Sequence, residues 1–588
     1  MKSFFKYVLA TMLGIILSSI LLFLILLGGI GAMVSSQDQP VKIKSNTILH
    51  VELEQPIMDR SNNNPFENFD FSSFKPVVQL GLNDILANIK KAKSDPNIKG
   101  IYLDLTVVPA GIATIEEIRN ALIDFKESNK FIISYSDTYT QPSYYLASVA
   151  DNVYMNPEGL LMFVGLRSEV MFFKEALNKL GIEPQIIRHG EFKSAVEPLM
   201  YKQMSKENRL QIQTYMGSIW DHMLNGISDK RNINIKKLND LADNLTLRDA
   251  QLAVENGLID KLKYKDEVLA ELAELTDKKD IKKIESVSLP KYTKVPEHNR
   301  KSLEKNKIAV VYASGNVIMG EGEEGTIGSD RISRAIRKAR MDSTIKAIVF
   351  RVNSGGGSAL SSEVIWREVK LAQETKPVIA SLGDVAASGG YYIVAPAQKI
   401  IASPNTITGS IGVFGVIPNG KELLNDKLGV YVDVVKTNKN SDIYTIFRPM
   451  SAQEREAIKY GVEEVYETFI THVAEGRDMS IEEVDAIGQG RVWSGANAIE
   501  NGLIDGFGGL QEAIQLAAEA ADIEKYRTVD YPELKDPFEQ IMKELQGNVK
   551  ASVIRQELGR EYRYYNTLKN MIGMKGIQAR IPYDVEIY

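Results

Sequence analysis

Apolar positions fall in short, nearly unbroken runs, separated by segments that are apolar on one face only. "IKAIVFRV" (345–352) and "KPVIASLGD" (376–384) are brief and rich in β-branched residues, the pattern of strands buried on both faces of a parallel sheet. Between them, "ALSSEVIWREVKLAQET" (359–375) places Val364, Trp366, Val369 and Leu371 near one helical face, with Ser361 or Ser362 available as a cap. Strand, helix and strand at this spacing predict a right-handed crossover and an α/β fold. The N-terminus follows a third pattern. Lys2 and Lys6 precede the apolar run Val8–Met33, and no further charge appears until Asp38. Spanning a bilayer takes about 20 apolar residues, whereas the apolar region of a cleaved signal has about 7–15. The run therefore predicts an uncleaved transmembrane anchor. With Lys2 and Lys6 held in the cytoplasm, the body lies on the periplasmic or outer side of a bacterial inner membrane.

The body repeats itself. "GLNDILANIKKAKSDPNIKGIYLDL" (81–105) aligns with "GSDRISRAIRKARMDSTIKAIVFRV" (328–352), and "SYSDTYTQPSYYLASVADNVYMNP" (134–157) with "SLGDVAASGGYYIVAPAQKIIASP" (381–404), both at an offset of 247. "KEALNKLGI" (174–182) and "KELLNDKLGV" (421–430) continue the match at 248, and "ENGLID" occurs at 255–260 and 500–505. One long period occurring twice predicts two duplicated domains rather than a solenoid. The boundaries expected are a cytoplasmic tip and anchor over 1–36, domains over 45–285 and 307–525, a polar linker over 286–306, and a helical tail with a strand over 526–588. The stretch 206–243 reads as a helical addition to the first half.

Composition narrows the function classes. The 588 residues are 44% hydrophobic and 25% charged, with a net charge of −6, so no global basic field exists to hold nucleic acid. The local run "KSLEKNK" (301–307) reads as solvated linker. Cysteine is absent, which excludes disulfides, thiolate metal sites and cysteine nucleophiles. No metal-ligand spacing or nucleotide-binding loop occurs, so neither a metal nor a cofactor is expected.

The two copies diverge where chemistry would use them. After "IVFRV" the second half has "NSGGGS" (353–358), and the first has "TVVPAG" (106–111) in the same place. Consecutive glycines let backbone N–H groups approach a ligand and suit a developing oxyanion; a plain flexible turn is the alternative. In "GDVAASGGYYIVAPA" (383–397), Ser388 and Gly389 interrupt an apolar run, and the first copy has Gln141 where the second has Ser388. A helix start explains the serine alone; a nucleophile needs a base as well. The five histidines, His50, His189, His222, His298 and His472, form no triad pattern, and His189 lies in "IIRHGEFKSAVEP" (186–198) beside Lys193. At an offset of 248, Lys193 corresponds to Ser441. One half keeps a lysine and the other a serine, as expected of two degenerate sites merged into one.

"VNSGGGS", "GDVAASGGYYIVAPAQKIIASPNTITGSIGVFGV" and "HGEFKSAVEPL" resemble the long form of the signal peptide peptidase A family. The resemblance covers nearly the whole chain. It implies two tandem Clp-protease/crotonase-like domains, a homotetrameric bowl, and a membrane-anchored serine protease that degrades remnant signal peptides. By position it implies Ser388 as nucleophile, Lys193 as general base, and Gly356 and Gly389 as oxyanion donors. The family pattern has proline where this chain has Gly355. Two other readings compete: a crotonase-like acyl-thioester enzyme, and an inactive membrane scaffold or chaperone. The anchor and the reciprocal Ser/Lys loss favour peptide hydrolysis. That chemistry demands a lysine pKa far below the usual value of about 10.4, and Phe192, Ala195 and Val196 offer the apolar surroundings. Small and apolar substrate side chains fit a pocket lined by apolar strands, and "NMIGMKGIQARIPYDVEIY" (570–588) alternates enough to form a strand near a subunit edge.

Overall fold

A computed structural model describes residues 4, 6–21, 41–62, 69–70, 75–76, 79–296, 304–534 and 576–581. The apolar runs of the first half become β1 (Thr47–Val51), β2 (Ile98–Asp104), β3 (Phe131–Tyr139) and β4 (Asn152–Leu161). They lie in the order β4-β3-β2-β1, all parallel, with Lys261–Leu262 beside β4 and Ser286–Ser288 beside β1. β5 (Glu183–Arg188) leaves this sheet for another.

The second half repeats the design with β6 (Lys307–Ser314), β7 (Ile345–Ser354), β8 (Gly356–Ser358), β9 (Val378–Ala387), β10 (Ile407–Gly409) and β11 (Phe414–Asn419). Its main sheet runs β10-β9-β7-β6, with Val492–Ser494 outside β10 and Arg527–Tyr531 outside β6. Strands buried on both faces need helices above and below. Here α1 (Leu82–Ser94) and α2 (Ile112–Lys126) cover the first sheet, and their counterparts α5 (Ser329–Met341) and α6 (Ala359–Gln373) stand 247 positions on. Before α5 the chain forms α3 (Gln141–Ala147) and α4 (Lys206–Arg231); after α6 come α7 (Gly389–Tyr392) and α8 (Ala452–Arg477).

The structure revises several expectations. The segment 206–243 is no addition to the first half, because α8 and Ile481–Ile487 repeat α4 and Ile235–Asp243. Both long helices begin at a serine, Ser205 or Ser451, whose hydroxyl accepts an N–H from the first turn. The cap of α6 is Ser358 rather than Ser361 or Ser362, and Val364 faces outward while Ile365, Trp366 and Val369 are buried. The expected linker starts inside the first domain: Ser286–Ser288 extends its sheet, and the buried Tyr292 donates to Asp95 Oδ2 at 2.9 Å. Residues 297–303 lie outside the described residues. At the N-terminus residues 6–21 are helical, and 22–40 lie outside the described residues. Among the described residues, no helix is long and apolar enough to cross a membrane.

Buried charge joins the halves. Arg351, on β7, is fully buried and donates from Nε to Asp59 Oδ1 and from Nη2 to Glu117 Oε1, both at 2.7 Å. Burial alone would push its pKa down; the two first-half carboxylates outweigh that and raise it. Asp384, within β9, accepts the Thr114 amide at 2.8 Å and the Thr114 hydroxyl at 2.7 Å, tying the start of α2 to the second half.

A third sheet spans the boundary between the halves. In it β8 is followed by β12 (Ile577–Arg580), β11 and β5, with Asn316–Ile318 and Thr326–Gly328 beyond β8. The expected C-terminal strand therefore exists, but it lies inside a sheet within the chain; residues 535–575 and 582–588 are outside the described residues.

Candidate functional site

β9 ends at Ala387 and α7 begins at Gly389, leaving Ser388 at the join with φ 54° and ψ −118°. A residue with a side chain seldom holds a positive φ, and such strain gathers at functional sites. Two backbone bonds hold it: the Ser388 amide donates to Gly409 O, and Ser388 O accepts from the Tyr392 amide, both at 2.8 Å. The serine is a helix start, as expected, and it is also bent and fully buried.

Lys193 reaches this serine from the other half. β5 pairs antiparallel with β11, and the chain leaving β5 turns through Gly190 to place Lys193 at the head of the short 3-10 turn Ser194–Val196. Its Nζ donates to Ser388 Oγ at 2.8 Å, and to Ser410 O and Ser410 Oγ at 3.0 Å each. Lys193, Ser388 and Ser410 are each 0% exposed. Burial pushes the Lys193 ammonium well below the ordinary lysine value, and no charge among the described residues opposes it. Once neutral, the amine keeps two hydrogens for Ser410 and turns its lone pair to the Ser388 hydroxyl, whose proton it can then take.

The loop Gly488–Arg491 cradles the lysine. The Phe192 amide donates to Gln489 O at 3.0 Å, and the Gly490 amide to Ile411 O at 2.6 Å. Gly490 has φ +79°, and a Cβ there would stand 2.6 Å from Lys193 Cα. Arg491 O in turn accepts the Ser410 amide at 2.6 Å, so one loop holds both Phe192, next to Lys193, and Ser410.

The glycines expected as oxyanion donors lie against each other beside Ser388. Gly356 has φ +91°, and a Cβ there would lie 2.6 Å from the Gly389 nitrogen. The Gly356 amide donates to Ser354 Oγ at 3.1 Å, and that hydroxyl donates to Gly315 O at 2.6 Å. Gly355, which stands where the family pattern has proline, faces Ile581: a Cβ would be 2.8 Å from Ile581 Cγ1.

The vacated positions of the first half are filled otherwise. Gln141 Oε1 accepts the amides of Val164 and Gly165 at 2.6 and 2.8 Å, so its side chain occupies the start of α3. Ser441 is exposed in a turn, donating to Asn438 O at 2.9 Å. Ser410 was missed from the sequence, although the offset of 247 sets it against Phe163 and the same subtraction that singled out Ser388 would have found it.

Among the described histidines none partners Ser388. His189 pairs with Glu463 and stacks on Tyr466 at 3.7 Å, His222 pairs with Glu116, and His472 pairs with Glu363; His298 lies outside the described residues. Among the described residues, the side chains with the reach of metal ligands are His50, Glu52 and Asp104, and Asp104 already pairs with the Lys265 ammonium at 2.7 Å.

Comparison with known proteins gives consistent matches. The profile of Peptidase family S49 matches residues 124–279 and 370–524, one stretch in each half. The chain is 37% identical over 448 residues to Protease 4 of Haemophilus influenzae, covering 74% of this chain and 72% of that protein. It is 33% identical over 514 residues to the chloroplastic serine protease SPPA of Arabidopsis thaliana, covering 85% and 74% respectively. Among solved structures, a ClpP1 mutant from Listeria monocytogenes aligns with a TM-score of 0.23 and 15% identity, over 35% of this chain and 94% of that one.

Proposed function

The chain belongs to peptidase family S49 and is a serine peptidase, and from that premise we propose that Ser388 and Lys193 are its catalytic pair. The observation that carries the reading is the 2.8 Å bond between Lys193 Nζ and Ser388 Oγ, both fully buried. Neutral Lys193 takes the Ser388 proton as Oγ attacks the scissile carbonyl carbon. The amides of Gly356 and Gly389 receive the developing oxyanion, for which the Gly356 amide exchanges its bond to Ser354. The lysine ammonium then gives its proton to the leaving amine, and an ester to Ser388 remains. A water, deprotonated by the same lysine, hydrolyses that ester and restores the pair. Ser410 holds the amine on the serine in both steps.

Location and substrate class follow at one remove. Val8–Met33 acts as an uncleaved anchor, and the body stands outside the cytoplasm as a homotetramer. Remnant signal peptides and other membrane-proximal peptides are its substrates. The test of the pair is a fluorogenic peptide assay. Ser388→Ala and Lys193→Ala should each lose at least about a thousand-fold in kcat. Lys193→Arg should not rescue, because a guanidinium stays protonated. Near-parental turnover by Lys193→Ala at neutral pH would remove the lysine from the mechanism.

A further inference from the structure

Gln211 stands in the second turn of α4, and its side chain is buried where the two halves meet. Nε2 donates to Ser194 Oγ at 2.8 Å, to Asn208 Oδ1 at 3.1 Å and to Phe192 O at 3.2 Å, two hydrogens shared among three acceptors. On its other side, Oε1 accepts the Val492 amide at 3.0 Å. Phe192 and Ser194 flank Lys193 in the chain, and Val492 directly follows the cradle loop Gly488–Arg491. One side chain therefore joins the lysine turn of the first half to the loop of the second. Its partners also fix which way the amide points, because the Phe192 carbonyl can only accept and the Val492 N–H can only donate.

Duplication supplies a control for this contact. The capping serines Ser205 and Ser451 align α4 with α8 at an offset of 246, which sets Asn208 against Glu454 and Ile212 against Ile458, all four buried. At that offset Gln211 meets Ala457, which is exposed. The second half has Ser441 where the first has Lys193, and on its long helix it has no amide to hold such a turn. Packing of the helix does not call for the glutamine, since α8 is built without it. The amide is present only in the copy that carries the lysine.

We propose that Gln211 is a positioning residue for the reaction: it fastens the turn that carries Lys193 to the loop that cradles it, and so keeps the amine on Ser388. The inference rests on the reading of Lys193 as the base and adds to it what holds that base in place. Lys193 reaches Ser388 across the boundary between the halves, along an unbranched side chain, so its 2.8 Å approach depends on where its Cα stands. Gln211 sets that position against the second half, while Ser410 holds the amine at the far end. Misplacing a reacting group by about 1 Å can cost about a hundred-fold in rate. A loosened turn also lets water reach the amine, which returns part of the solvation that the ammonium lost on burial.

The experiment is a pH series of fluorogenic peptide turnover by the full chain carrying Gln211→Met, which keeps an unbranched side chain of similar size and removes the amide. At neutral pH kcat should fall at least about tenfold, with KM within a few-fold of the parent. The rise of kcat/KM with pH should move to the alkaline side by at least about one unit, so that part of the loss is recovered there. A role in folding alone would lower the thermal midpoint and the fraction labelled by a serine-directed probe, and would leave the pH midpoint where it is. Near-parental turnover, or the same loss at every pH, would overturn the proposal. If Gln211→Met does not fold, Gln211→Glu decides. Its carboxylate still accepts the Val492 amide but donates nothing to Phe192 O, so kcat should again fall, and near-parental turnover would overturn the proposal. Ala457→Met, the matched change on α8, should leave kcat and the pH profile as in the parent; an equal shift there would overturn it as well. Failure of the base reading is read separately, as turnover that survives Lys193→Ala.

Discussion

Lys193 combines two roles that oppose each other in free energy. Folding buries an amine that prefers to be charged, and that cost is what suits it to the proposed role of base. An exposed lysine has a pKa of about 10.4, and burial lowers that of Lys193 well below the ordinary value. Between the depressed value and the ordinary one, the unfolded chain holds a proton that the folded chain lacks, so stability rises with pH across that window. Below the depressed value both states are protonated and the full penalty remains. Lys193→Met should therefore raise the thermal midpoint at neutral pH and flatten its rise toward alkaline pH, while abolishing turnover; scanning calorimetry across pH checks this. In the parent, kcat/KM should rise with pH through the depressed lysine pKa, because only the neutral amine accepts a proton. A midpoint lowered by Lys193→Met would mean that the amine stabilises the fold. The pair was legible in the sequence because duplication supplied an internal control: Gln141 faces Ser388 and Ser441 faces Lys193 across the offset. The depressed pKa was not legible, because apolar neighbours in sequence do not establish burial in space.

At the scale of elements, short glycine-bearing loops place the reacting atoms. The cradle Gly488–Arg491 lies about 300 residues from Lys193 along the chain, and neither its local pattern nor the repeat marks it. Its function depends on a backbone that a side chain would displace. Gly490→Ala places a Cβ 2.6 Å from Lys193 Cα at φ +79°, and left-handed geometry alone costs a residue with a Cβ about 1–2 kcal/mol. The variant should lose more than tenfold in kcat with KM within a few-fold of the parent, since it moves Lys193 and leaves Ser388 and the two glycines in place. Equal losses in kcat and in thermal stability would reduce the cradle to a folding element. The long helices show the reverse case. α4 was legible from its pattern, but its partner α8 was not seen as a repeat, because only caps and buried spacing survive between them. The tail strand was legible as a strand from its alternation; its place was not, since pairing partners for four residues cannot be read from one segment.

Over the whole molecule, the Lys193–Ser388 pair is one that neither half can form alone. The lysine comes from one half and the serine from the other, so the halves must hold a fixed relation, and the buried Arg351–Asp59–Glu117 cluster provides one. A buried ion cluster seldom adds much stability over an apolar contact, but it penalises any arrangement that separates its members. The surface poses a different requirement. Residues 428–447 form no strand, and they carry Tyr431 at 77% exposure and Val435 at 99%, with Leu428, Val430 and Tyr444 also exposed. A run of large apolar side chains of this kind is uncommon on a monomer and marks an interaction surface. We propose that copies of the chain bury it between them. The chain from residue 41 onward should sediment as a tetramer, and Tyr431→Glu with Val435→Glu should shift it to smaller species. Labelling of Ser388 by a serine-directed probe should persist in those species if the assembly serves to enclose the sites, since the reacting pair lies within one chain. A parental chain that sediments as an active monomer would leave the exposed apolar run to be explained by another partner, the membrane surface being the first to test.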